Sequence, residues 1–123
     1  MANRRMNLSG TGKEILDRMC EHLEIDRPLG VKIALSKGIA LSNGDLTLVF
    51  NDTKNKWTIP DNIIRDREYL LFKHLIMEEI KRSLNDEEIN HFMLYFIEKG
   101  LRIILEEIES LSSMDNYRKT ILQ

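Results

Sequence analysis

The stretch that decides the fold runs Asn3-Arg4-Arg5-Met6-Asn7-Leu8-Ser9-Gly10-Thr11-Gly12-Lys13-Glu14, and it is followed at one helix length by Asp26-Arg27-Pro28. Alternation along a strand puts Arg4, Met6 and Leu8 on one side and Asn3, Arg5 and Asn7 on the other. Ser9 or Thr11 is the cap of the helix that follows, and Thr11-Gly12-Lys13-Glu14 has capping-box spacing. Asp26 then opens a second helix, with Pro28 in its tolerated first turn. A single short strand has unpaired backbone edges. It must find another strand, ordinarily from a second copy of the chain.

Outward from this strand–helix–helix unit, apolar spacing marks the rest. Ile15, Leu16, Met19, Cys20 and Leu23 recur at helical intervals across residues 10–23. Between Pro28 and Leu41, Val31, Ile33, Ala34, Leu35 and Ile39 make the second helix apolar over a wide arc, as for a helix covered on several sides. Ser42-Asn43-Gly44-Asp45 ends it with turn chemistry. Two β-rich runs, Leu46–Phe50 and Lys56–Ile59, flank the polar segment 51–55 and predict a hairpin over residues 45–60. A third helix is expected from between Asp61 and Asp66 to about Leu84, with Leu70, Leu71, His74, Leu75, Met77 and Ile80 as its apolar side. Asn85 caps a fourth, with Asp86, Glu87 and Glu88 favourable at its N-terminal end. Its stripe runs from Ile89 to Ile108, and weak patterning beyond Ser110 predicts a partly disordered tail. The expectation is one mostly α domain of 123 residues: strand–helix–helix (1–44), hairpin (45–60), a helical pair (61–110) and a tail (111–123).

Composition bounds the function. Forty-two per cent hydrophobic and 31% charged residues suit a globular chain with a real core. No apolar run reaches the ~20 residues of a membrane span, and the polar, basic N-terminus has no apolar signal-peptide region, so the expectation is a cytoplasmic protein without membrane contact. Residues 1–67 hold 11 Lys and Arg against 9 Asp and Glu, whereas residues 68–123 hold 7 against 11. A mildly basic front and an acidic back suit one face for an anionic partner. The pI of about 5.9 is far below that of strongly basic nucleic-acid binders. Contact with a polyanion therefore requires a local patch, or several patches joined by oligomerisation.

Enzyme chemistry has little to stand on. There is no Gly-rich phosphate loop and no nucleophile elbow. Cys20 is the lone cysteine, which excludes an intrachain disulfide and a multi-cysteine zinc site. Glu88-Ile89-Asn90-His91 has the Glu-x-x-His spacing of di-iron bundles, but a second copy of the motif is missing. His22 and His74 read as partly buried side chains, and Trp57 as a core or interface anchor. No catalytic residue, metal or cofactor is expected.

The front-half cations are Arg4, Arg5, Lys13, Arg18, Arg27, Lys32 and Lys37. Long cationic side chains beside a helix N-terminus suit phosphate, because free backbone N–H groups there also point at anions. The competing reading is a solvated face in which Lys13 and Arg18 pair with Glu14, Asp17 or Glu21 along the helix.

Strand–helix–helix is the element order of the ribbon-helix-helix DNA binders. More specifically, Arg5-Met6-Asn7-Leu8-Ser9, the leucine-spaced first helix, Leu23-Glu24-Ile25-Asp26-Arg27-Pro28 and Lys32-Ile33-Ala34-Leu35-Ser36-Lys37-Gly38 resemble the DndE family of bacterial DNA phosphorothioation systems. Glu68-Tyr69-Leu70-Leu71 and Ile97-Glu98-Lys99-Gly100-Leu101 extend the resemblance, which covers about residues 3 to 108. It rests on pattern and element order, without a catalytic motif. The resemblance implies a ribbon-helix-helix-like fold and a homo-oligomer, possibly a tetramer. It further implies non-catalytic binding of duplex or nicked DNA, beside a sulfur-transfer enzyme and an ATPase. Its DNA-contacting lysines match Lys13, Lys32 and Lys37 here; with the strand arginines, the candidate DNA-binding set is Arg4, Arg5, Lys13, Lys32 and Lys37. Two alternatives stay open: a ribbon-helix-helix transcription regulator with Arg5 and Asn7 as base readers, and a scaffold that docks a partner helix on the Ile89–Ile108 stripe.

Overall fold

A computed structural model of the chain describes residues 6–44, 46–50, 54 and 56–122, with 112–122 as backbone only. The elements are β1 (Met6–Leu8), α1 (Gly10–Leu23), α2 (Arg27–Ala40), β2 (Trp57–Ile59), α3 (Asp66–Ile80) and α4 (Asp86–Leu122). The architecture is mostly helical, with one two-stranded antiparallel sheet.

Local chemistry sets the helix ends. The Ser9 hydroxyl accepts from the Gly12 N–H at 2.9 Å, so Ser9 caps α1 and Thr11 does not. Glu24 takes a left-handed conformation (φ 56°) that ends α1, and the Ile25 N–H donates to the Cys20 carbonyl at 3.0 Å. Two residues later the Asp26 carboxylate accepts from the Leu29 N–H and starts α2. Asn85 and Glu88 form a reciprocal capping box on α4: the Glu88 N–H donates to Asn85 Oδ1 and the Asn85 N–H to Glu88 Oε1. α4 continues to Leu122 rather than fading after Ser110.

β1 finds its partner inside its own chain. Met6 stands opposite Ile59, Asn7 opposite Thr58 and Leu8 opposite Trp57. Met6, Leu8 and Ile59 face the core, while Asn7 and Thr58 face outward and are joined by a 2.6 Å hydrogen bond. This corrects the expected hairpin. Leu46–Phe50 forms no strand, and Trp57–Ile59 pairs with β1 instead. The cause is Phe50. Its ring packs on Tyr95 of α4 (centroids 5.6 Å apart) and lies beneath the Arg102 guanidinium at 4.3 Å, which draws the segment onto the helix.

The core lies where α2 crosses α4. Val31, Ala34 and Leu35 of α2 and Ile89, Phe96, Ile97 and Leu101 of α4 are fully buried. The two backbones touch. A side chain on Gly38 would meet the Phe96 carbonyl, and one on Gly100 would meet the Ala34 carbonyl. Small residues spaced four apart on α2 make that approach possible, and larger ones would hold the helices at the usual 8–10 Å.

α3 is turned over relative to expectation. It buries Tyr69, Phe72 and Ile76, while Leu70 and Leu71 are 58% and 56% exposed and Leu75 is 38% exposed. Met77 and Ile80 are half-buried and His74 is exposed. The helix also stops at Ile80, with Lys81 left-handed (φ 66°).

Candidate nucleic-acid interface

The expected phosphate site at the start of α1 already holds a carboxylate. Glu98 of α4 is only 2% exposed. Its Oε1 accepts from the Ser9 hydroxyl at 2.9 Å and lies 3.2 Å from Arg102 Nη1, and its Oε2 accepts from the Ser9 N–H at 3.3 Å. A side chain at Gly12 would run into Glu98 Oε1, so any other residue there would push the carboxylate aside. A buried carboxylate there already takes the Ser9 N–H and hydroxyl and lies at the positive end of α1, where an incoming phosphate would sit. The geometry therefore separates Lys13 from the helix end that the sequence pairs with it.

Lys13 belongs instead to a corner made by α1 and α2. Lys13 Nζ lies 3.3 Å from one Asp17 oxygen and Arg27 Nε lies 2.9 Å from the other. The Arg27 guanidinium also stands 5.4 Å from the centre of the Trp57 ring, at the start of β2. Burial pushes the Asp17 carboxyl up, but the Arg27 and Lys13 hydrogen bonds and charges outweigh it and hold the group below its ordinary value of 3.8. Two cations share the Asp17 carboxylate, while the neighbouring Asp26 carboxylate is engaged in capping α2. Arg27 stands outside the DNA-binding set read from the sequence. Its pairing with Asp17 joins two helices across a turn, a relation that helix spacing does not encode.

Lys32 and Lys37 are held in other directions. Lys32 Nζ pairs with Glu68 of α3 at 2.9 Å, and Lys37 Nζ with Glu107 of α4 at 2.8 Å. Five residues along a helix place them about 140° apart, so they form no single patch with each other. Arg18 leaves its own helix as well and lies 3.8 Å from Glu109. Arg4 and Arg5 lie outside the described residues. Among the described residues, Lys56, Arg65, Arg67, Lys73 and Lys81 have no carboxylate partner. No patterning in the sequence singles these out, because acids surround them along the chain.

Other candidate chemistry resolves into structure. Glu88 is tied into its cap. The Asn85 N–H, and after it the Arg82 guanidinium at 2.9 Å, lower its carboxyl below the usual value. His91 is exposed and packs edge-on to Phe92. No group of three metal-ligating side chains occurs among the described residues. His22 and His74 are exposed rather than partly buried. Burial pushes the partly covered Cys20 thiol up, away from the reactive thiolate. A cleft of about 540 Å³ opens between β1, segment 46–50 and α4, with Lys56 and His91 at its lining and Leu94 and Tyr95 on its apolar side. No described helix is long and apolar enough to cross a membrane. No protein-family model, curated protein or solved structure matches this chain.

Proposed function

We propose that this chain is a non-catalytic DNA-binding subunit of the DNA phosphorothioation machinery, gripping duplex or nicked DNA through backbone phosphates. The observation that carries the reading is the α1–α2 corner, where Lys13 and Arg27 share the single carboxylate of Asp17 beside Trp57. The resemblance over residues 3–108 supports it, as does the strand–helix–helix order in which the corner is built. Grip on phosphate comes from cations held at fixed positions, and sequence-independent attraction to a polyanion follows. Lys32, Lys37, Arg4 and Arg5 complete the proposed DNA-contacting set, with the two lysines on different sides of α2 and each exchanging carboxylate for phosphate. The sulfur-transfer enzyme and the ATPase of the system are the proposed partners.

Fluorescence anisotropy on intact and nicked duplexes tests this. Affinity is expected to fall steeply with added salt, alike for unrelated sequences. Asp17→Asn is expected to tighten binding by freeing both cations, and Arg27→Glu to weaken it several-fold. An affinity that ignores salt, or an Asp17→Asn variant that binds no better than the parent, sinks the reading. Preference for one palindromic operator would instead favour a transcription regulator.

A scaffold role has one observation in its favour, the exposed leucines of α3. The Ile89–Ile108 stripe cannot serve it. Ile89, Met93, Phe96, Ile97, Leu101 and Ile104 of that stripe are buried in this protein's own core.

A further inference from the structure

α3 has two apolar stripes and uses one. Tyr69, Phe72 and Ile76 face α2 and α4. About 180° around the helix, Arg67, Leu71, His74 and Glu78 form a second line, flanked by Leu70 and Leu75, and all six are exposed. Leucines grouped this way on one helix face mark an association surface, whereas scattered ones do not.

Charge says what covers it. Arg67 stands at one end of the line and Glu78 at the other, eleven residues or about three turns apart. Neither has an ion-pair partner among the described residues. A stripe with a cation at one end, an anion at the other and leucines between is its own complement when reversed. A two-fold axis level with the midpoint between Phe72 and Lys73 brings Arg67 of each copy beside Glu78 of the other and packs the leucines between them. Self-complementarity of one patch is the mark of an isologous interface. A partner of unrelated chemistry would need no such symmetry.

We infer that α3 docks antiparallel against α3 of a second copy of this chain, with Arg67 and Glu78 forming two reciprocal ion pairs around the Leu70, Leu71 and Leu75 contact. This goes beyond the DNA-binding reading and is tested without DNA, so failure of either leaves the other standing.

Sedimentation velocity at micromolar concentrations provides the test. The parent chain is expected to associate. Leu71→Asp is expected to stay monomeric with unchanged helical circular dichroism, since Leu71 supports no internal packing. Arg67→Glu and Glu78→Arg each place like charges together twice, and each alone is expected to self-associate at least tenfold more weakly than the parent. Mixed in equal amounts, the two variants are expected to recover a heterodimer, because opposite charges then meet at both ends. A parent chain that sediments as a monomer throughout overturns the proposal. So do charge variants that associate as tightly as the parent, or a mixture no stronger than its components.

Discussion

Two of the helices that meet α4 in this protein, α2 and α3, meet it differently. α2 arrives with its backbone: the Ala34 and Phe96 carbonyls fill the space that side chains on Gly100 and Gly38 would need. α3 arrives with three side chains, Tyr69, Phe72 and Ile76, and leaves its leucines outside. Close approach of backbones brings many weak dispersion contacts into range at once. It also tolerates no added volume, because a main-chain atom cannot rotate out of the way. A helix held by a few large side chains is more forgiving and has a face to spare. The first contact specifies the fold, and the second leaves room for association.

Breaking the first contact has the largest expected effect. Gly100→Leu drives a side chain into the Ala34 carbonyl and is expected to cost at least about 3 kcal/mol, seen as loss of a cooperative thermal transition. A Gly100→Leu protein that melts like the parent would show that the two backbones have slack. The next test compares the two faces of α3. Ile76→Ala should cost about 2–4 kcal/mol in urea unfolding, whereas Leu71→Ala should stay within about 0.5 kcal/mol when measured on the monomer. Equal losses would mean that the outer stripe is packed within the chain. A smaller effect than that of Ile76→Ala lies at the end of α3. Lys81 occupies a left-handed position that glycine adopts without strain, so Lys81→Gly is expected to gain about 0.5–1 kcal/mol, read as a raised melting temperature.

How much of this is legible in the sequence depends on how far apart the partners lie. The starts of α1, α2 and α4 follow from Ser9, Asp26 with Pro28, and Asn85 with Glu88, because each cap bonds within three residues of itself. The face of α3 does not follow. Leu70, Leu71 and Leu75 outnumber the aromatic pair Tyr69 and Phe72, and periodicity alone cannot say which of two apolar stripes turns inward. β2 is legible as a strand but not as the partner of β1, since that pairing spans fifty residues of chain. The site divides the same way. Pairing of Lys13 with Asp17 is a helix-spacing relation and can be read directly. The engagement of Lys32 with Glu68, Lys37 with Glu107 and Arg27 with Asp17 crosses between elements and becomes visible only in three dimensions.

The bond from Glu98 back to Ser9 has a consequence for how the chain is made. The carboxylate at the start of α1 emerges from the ribosome 89 residues after the hydroxyl it binds. The strand that pairs with β1 and the groove that receives α2 also come late. Although the N-terminal helices carry their own start signals, they must wait as a half-dressed nascent chain until translation has passed Leu101. A pause before the codon for Trp57 would leave β1 without its partner strand, open to whatever neighbouring polypeptide reaches it first.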